Sequence, residues 1–556
     1  MARRGGPLSL RPEPDLVLHG AVLLDASRAG RAPRAKEAVW IRNGRIAGVG
    51  TLGELKRRAG RGAEIVDLGG GTLMPGFTDS HIHLVTWVRA LDEPWLEAQD
   101  PASIASAVAR RLEAAPEEEW ILLRGWIPRE WPLERRSRAM LDRIGTGRPL
   151  VLHAVDGHSV WGNAAAFERA GINAWTTNPP GGEIQLDRDG EPTGVLIEEA
   201  YRLLTNRIVR KASPKDELAG ALDRARSLGI TSAHDFDRSA TWRAAAELAR
   251  SGPLDFRLLL SVPVASVDAA TALGLAAGHG GDQLRVGPVK MFADGTLGSS
   301  TALLEEPYTA GGTGVEVMTP ADLEKGCATA ARSGLSVAIH AIGDRAVRNA
   351  LDAIERALTE GASFPLPPRI EHIQLSRPED WPRFRALGVL ASVQPIHQVS
   401  DRPLARKLWG DRTSRSYAWK SLERAGATLI FGSDAPFDRA GPLLAIQAAL
   451  LRREAGEPAA EAFHPEQGLS LKRALRAHLE DPHLAAGWPV PLGKISAGFG
   501  ADLVHFSHDL LQTPPGEWTR ARVRTVWWAV GASESGREIA ELPHRRKTAS
   551  ERDFRS

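Results

Sequence analysis

Two histidines open the chemistry of this chain. In Pro75-Gly76-Phe77-Thr78-Asp79-Ser80-His81-Ile82-His83-Leu84, His81 and His83 lie two residues apart. On a strand that spacing turns both imidazoles to one face, because side chains alternate with period two. Two imidazoles side by side at a strand end form a chelating pair for a divalent metal. A lone His-x-His also fits a solvated face, so the remaining donors matter. They recur at the ends of later apolar runs: Lys290 in Val289-Lys290-Met291-Phe292, His340 in Val337-Ala338-Ile339-His340, His372 in Ile370-Glu371-His372, and Asp434 in Phe431-Gly432-Ser433-Asp434.

These residues need a scaffold that brings strand ends together. Apolar strand-like runs alternate with Ala-, Arg- and Leu-rich helical stretches, the pattern of a parallel βα architecture. Eight runs qualify: Gly76–Leu84, Gly229–Phe236, Leu254–Val262, Arg285–Ala293, Leu335–Ala341, Arg369–Leu375, Val389–Pro395 and Thr428–Ser433. Eight strands close a (β/α)8 TIM barrel, whose sites sit at the C-terminal strand ends. The fold class expected is α/β, with the barrel over 76–487. The gap after the first strand is too long for one crossover helix. It holds further strand-like runs at Trp120–Gly125 and Pro149–Ala154, so an inserted subdomain is expected at about 86–220. Short β-type runs at both chain ends, with an Asn43-Gly44 hairpin turn, predict one small composite sheet domain built from 1–75 and 488–556.

Composition narrows the partners. Of 556 residues, 43% are hydrophobic and 25% charged, which is ordinary globular usage. Lys and Arg number 70 against 68 Asp and Glu, so no concentrated basic face marks a nucleic-acid binder. The single cysteine, Cys327, excludes an internal disulfide and a Cys-rich zinc site, and its helical surroundings predict a buried thiol. No signal peptide and no membrane-spanning apolar run is visible, so the expectation is a cytoplasmic protein acting on a small molecule, away from membranes. The charged tail from Pro543 to Ser556 is expected to fray.

Lys290 has two readings. It is a salt-bridge partner in the barrel interior, or a neutral amine that adds carbon dioxide to give an anionic carbamate able to bridge two metals. Glu371, one residue before His372, is expected to point to the opposite face and pair with the helix layer. Asp344 is expected to cap the helix after His340. Tryptophans gather in and near the insertion, among them Trp126, and suit either packing or an apolar substrate group.

Taken together, these motifs resemble the amidohydrolase superfamily. Within it they resemble the metal-dependent hydrolases of amidohydrolase family 3, the group that includes N-substituted formamide deformylase. The resemblance rests also on Asp156-Gly157-His158-Ser159, Ala293-Asp294-Gly295, His340-Ala341-Ile342-Gly343-Asp344 and Leu492-Gly493-Lys494 … Ala501-Asp502-Leu503. It implies that the sheet domain from the two chain ends is a split β-sandwich, and it implies two divalent ions, zinc by analogy. His81, His83 and Asp434 would hold one and His340 and His372 the other, with carboxylated Lys290 between them. Two metals sharing a water would supply hydroxide near neutral pH. Asp434 would shuttle its proton to the departing nitrogen of a small amide, such as an N-substituted formamide. His158 would contact substrate or serve structurally; Asp294 would bind a substrate amine or shape its loop. A homodimer is common in the resembling group. Three alternatives stand beside this reading: a deaminase acting on a cyclic amidine, an ester or lactone hydrolase, and a non-catalytic scaffold. The deaminase would need a strand-five Glu that Val337–His340 lacks.

Overall fold

A computed structural model describes residues 15–31, 37–132, 135–144, 147–155, 157–179, 181–210, 212–237 and 239–528. The charged tail lies outside the described residues. The central element is an eight-stranded, all-parallel, nearly closed sheet. Its strands are β1 (Phe77–Ile82), β2 (Ile230–Asp235), β3 (Arg257–Pro263), β4 (Leu284–Phe292), β5 (Val337–Ala341), β6 (Arg369–His372), β7 (Leu390–Val393) and β8 (Thr428–Phe431), in spatial order from β1 to β8. Each falls on one of the eight expected runs. They are legible because strands covered on both faces read as continuous apolar segments. At the seam the Asp434 amide donates to the His81 carbonyl at 2.6 Å and the Ser433 amide to Asp79 at 2.9 Å.

Strand β6 ends three residues earlier than expected. His372 and Ile373 adopt φ of 77° and 50°, which an extended strand cannot hold. Helices including Pro320–Arg332 and Asp344–Thr359 pack outside the barrel. Cys327, in the first of them, is fully buried as expected. Asp344 corrects the expectation of a cap: Gly343 holds the cap position, and Asp344 is the first helical residue. Its carboxylate instead accepts from the Glu305 amide at 3.0 Å and from Arg415 at 2.9 Å.

Two four-stranded sheets use the chain ends. One orders Arg45–Thr51, Glu37–Arg42, Leu16–His19 and Glu64–Asp67; the other orders Val22–Leu23, Thr72–Pro75, Leu503–Phe506 and Val523–Trp527. Asn43 and Gly44 turn the predicted hairpin with φ of 51° and 67°. Leu18, Val39 and Ile41 of one sheet share an apolar cluster with Leu73, Leu503 and Trp527 of the other.

A buried ion pair ties the barrel to the C-terminal strand. Arg257 of β3 donates through Nε to Asp502 at 2.6 Å, and the Gly76 amide before β1 donates to the Asp502 carbonyl at 2.8 Å. Removing one partner of a buried pair strands the other charge and costs about 3–5 kcal/mol. Asp502→Ala is therefore expected to lower the apparent melting temperature by about 3–4 °C in a chain of this length. A melting curve unchanged within a degree would show that the pair carries no such stability.

The insertion forms a five-stranded sheet ordered Gly182–Leu186, Pro192–Glu198, Ser159–Gly162, Leu150–Ala154 and Ile121–Trp126. Two of these strands match the predicted runs. The other three are additional.

Candidate metal centre

The barrel register sets the level of the donors. Phe292 of β4 pairs with His340 of β5, and Ala341 pairs with His372 of β6, so the donors gather at the C-terminal rim. His81 lies within β1, and His83 follows it as the residue before helix Leu84–Leu91. Their Nε2 atoms approach the same oxygen of Asp434, Oδ1, at 3.4 and 3.3 Å. The other oxygen, Oδ2, faces His372 Nδ1 at 3.9 Å and His397 Nε2 at 3.8 Å. One carboxylate thus presents a different histidine pair to each of its oxygens.

This donor set suits divalent metal. The donor atoms of His81, His83 and Asp434 lie within 4.8 Å of one another, as do those of His372, His397 and Asp434. His372 is buried, and its Nδ1 has no hydrogen-bond partner among the described residues. A buried polar atom left unpaired in this way is costly unless a ligand completes it.

Carboxylates orient the imidazoles, as they commonly do around metals. His81 Nδ1 lies 2.7 Å from Glu371, which turns Nε2 toward Asp434. His83 Nδ1 lies 3.5 Å from Asp237, whose carboxylate also accepts from the Val85 and Thr86 amides. Glu371 corrects the expectation of a helix-layer salt bridge. It is fully buried inside the barrel, bonded to His81 and to Arg369. The alternation rule fails because His372 leaves the extended conformation, so Glu371 and His372 both reach the interior. The spacing of Arg369 and Glu371, two charged residues on one strand face, carried that signal. Asp237 and His397 lie in connections after β2 and β7, where no periodicity marks them.

Burial and charge set the protonation of the cluster. Burial pushes His81 down to about 4, and it holds His340 and His372 well below the ordinary imidazole value. Burial also opposes the charge on His83, but Asp237 and Asp434 outweigh it and raise this histidine to about 9. Burial would lift Asp434, yet His81 and His83 hold it below the usual carboxylate range. Lys290 is buried, and burial lowers it to about 8. Its Nζ sits 4.7 Å from the Phe236 ring and 4.9 Å from the Phe292 ring, which lie against His81 and His340 respectively.

The remaining expected residues divide. His340 Nε2 lies 3.0 Å from the Gly295 carbonyl, and its ring packs edge-on to His372 at 4.4 Å. His158, from the insertion, places its ring 6.3 Å from His340 and its Nδ1 2.7 Å from Glu198. The adjoining Gly157 has φ of 71°, and a Cβ there would lie 1.9 Å from Phe437, the ring that packs on His83. The insertion therefore meets the barrel at the donor cluster itself. Asp294 is buried, with its oxygens accepting from the Leu303, Ile342 and Gly343 amides. Burial raises its carboxyl to about 7 despite those bonds. Trp126 is not brought to the cluster. It is fully buried in the insertion core against Trp161, with ring centroids 5.5 Å apart.

A parallel barrel with histidines and an aspartate on its C-terminal rim defines a metal-dependent hydrolase class, and sequence comparison agrees. The family model described as "Amidohydrolase family" matches residues 64–529, and the chain belongs to that family. The chain is accordingly a hydrolase acting on carbon–nitrogen bonds other than peptide bonds. The chain is 34% identical to the protein LONG AFTER FAR-RED 3 of Arabidopsis thaliana, over 88% of this chain and 87% of that one. It is 26% identical to N-substituted formamide deformylase of Arthrobacter pascens, over 88% and 93% of the two chains. An uncharacterised metal-dependent hydrolase from Pyrococcus horikoshii superposes with a TM-score of 0.75 at 28% identity, covering 90% of this chain and 99% of the other.

Proposed function

We propose that this chain hydrolyses the carbon–nitrogen bond of a small amide, with an N-substituted formamide as the representative substrate, at a pair of divalent ions. The observation that carries the reading is Asp434, whose two oxygens each face a histidine pair. His81, His83, His372 and Asp434 would hold such ions, which would supply an acidified water and Lewis-acid polarisation of the scissile carbonyl. Asp434, ionised in its histidine surroundings, accepts the proton of the attacking water and passes it to the leaving nitrogen, which departs as a neutral amine. His158, oriented by Glu198, stands beside His340 and is placed to hold the substrate carbonyl oxygen.

The same reading takes zinc as the ion and carboxylated Lys290 as an anionic group beside both positions. The burial that lowers Lys290 to about 8 favours the neutral amine this modification requires. It takes the terminal sheets as one sandwich and the protein as a cytoplasmic homodimer acting on a small molecule. The N-substituted formamide deformylase relative supports the substrate class. Metal-loaded protein is assayed against N-substituted formamides and other N-acyl amines by released amine, with ammonia release read in parallel on cyclic amidines. Amine from the acyl substrates is expected. Ammonia alone would replace this reading with deamination.

Metal uptake should depend on pH through His83. In the metal-free protein this imidazole keeps its second proton up to about pH 9, and a metal ion must displace it. Apparent affinity is expected to rise by about tenfold per pH unit toward pH 9 and then level off. The sign for stability is opposite. His83 is raised above its ordinary 6.5, so its contribution to the metal-free fold is full below that value and is lost as pH rises through about 9. Melting curves across pH 6–10, with and without ion, check both trends. An affinity independent of pH would contradict the protonated pairing of His83.

A further inference from the structure

We propose that Phe437 sets the substrate preference of this site by binding a flat aromatic substituent on the scissile nitrogen. The proposal rests on the amide-hydrolase reading and names the group its substrate carries. Among the described residues, the rings of Phe236, Phe437 and Phe292 lie against His81, His83 and His340 respectively. Phe236 and Phe292 flank Lys290 Nζ at 4.7 and 4.9 Å, which leaves Phe437 as the ring open to a substrate. It packs edge-on to His83, with centroids 5.2 Å apart and planes at 74°, and it is only half-buried.

The ring is held in place by its own turn and by the insertion. The Phe437 amide donates to the Asp434 carbonyl at 2.9 Å, which fixes the ring three residues beyond the carboxylate. The next residue, Asp438, accepts from the Ser400 hydroxyl, which braces the turn against the connection after β7. On the insertion side the ring fills the space of a side chain that Gly157 lacks. A Cβ on Gly157 would lie 1.9 Å from Phe437 Cε1, and His158 follows directly in the chain. Phe437 therefore stands between His83, Asp434 and the His158 loop. With the substrate carbonyl oxygen toward His158 and His340 and its nitrogen toward Asp434, the substituent on that nitrogen runs out toward the Phe437 ring. A planar aromatic group there pairs with the ring, which is worth roughly 2- to 10-fold in affinity beyond the apolar area it buries.

Calorimetric titration of the zinc-loaded wild type, Phe437→Ala and Phe437→Leu with N-benzyl-N-hydroxyformamide and N-methyl-N-hydroxyformamide tests this. Both compounds chelate an ion through their two oxygens and carry the substituent on nitrogen. The wild type should bind the benzyl compound at least about tenfold more tightly than the methyl one. Phe437→Ala should bring that ratio within about threefold, and Phe437→Leu, apolar but without a ring, should fall between. Zinc content equal to wild type reports an intact centre in the variants. A wild type without the preference, or a ratio unchanged in Phe437→Ala, overturns the assignment. Zinc lost from both variants overturns it too, by making the ring a support of His83. Amine released from N-benzylformamide and N-methylformamide is read alongside. Amine release without a benzyl preference keeps the amide reading and removes Phe437 from it. A benzyl preference in binding with no amine released from either formamide removes the amide reading and leaves the aromatic subsite.

Discussion

Asp434→Asn is expected to lower kcat/KM for amide hydrolysis by at least about 10³-fold, because the substitution removes two functions together. The first is proton transfer. An amide side chain cannot take up the proton of the attacking water, and proton transfer by a placed carboxylate is commonly worth roughly 10²–10⁴-fold. The second is charge. Asp434 Oδ1 faces His81 and His83 while Oδ2 faces His372 and His397, so its anion serves both donor pairs. Asparagine keeps the volume but offers one neutral oxygen, so metal content should fall together with activity. Asp434→Glu, which restores the charge at a shifted position, should recover part of the metal content but little of the rate. An Asp434→Asn enzyme within tenfold of wild type, with its metal retained, would remove Asp434 from the chemistry.

The donors of Asp434 were legible in the sequence to different depths. His81, His83, His340, His372 and Asp434 each follow or end an apolar run, and a parallel barrel places such residues on one rim, so order along the chain sufficed. Lys290 was legible for the same reason, although the aromatic rings around it come from β4 and from the residue after β2. Glu371 was not, because alternation assumes an extended strand and the positive φ at His372 breaks it. His397 stands on a four-residue helix, too short for any periodicity to register. Glu198, which orients His158, lies 40 residues away across the insertion sheet, a pairing that only the fold brings about. Two insertion strands, Gly182–Leu186 and Pro192–Glu198, are hard to read for a compositional reason: Gly182, Pro192 and Gly194 lie in them, and such residues read as turns rather than as strand. Trp126 shows the converse. A large aromatic near a site is conspicuous in sequence, yet here it fills the insertion core.

Glu371→Gln tests whether the interior carboxylate positions a donor or only fills space. Glu371 Oε2 lies 2.7 Å from His81 Nδ1, and the same carboxylate takes the Arg369 guanidinium. Arg369 is itself wired to the Ser80 carbonyl at 2.6 Å and to Ser392 at 2.8 Å. A carboxylate can only accept, so it keeps the His81 proton on Nδ1 and the lone pair on Nε2, facing Asp434. Glutamine can present its NH2 group to Nδ1 instead, which moves the proton to Nε2 and removes the donor. The expected result is metal affinity lower by about 10–100-fold, with activity recovered at high metal concentration. The metal-free protein should also lose about 3–5 kcal/mol, because Arg369 remains buried without its counter-charge. Burial alone would raise Glu371, but Arg369 and His81 hold it well below its ordinary value. The stability it contributes is therefore present above that ordinary value, 4.5, and is lost as pH falls toward the depressed folded one. The gap between wild type and variant should accordingly be full at neutral pH and shrink in acid. A stability deficit without any change in metal affinity would leave Glu371 a structural counter-ion to Arg369 and nothing more.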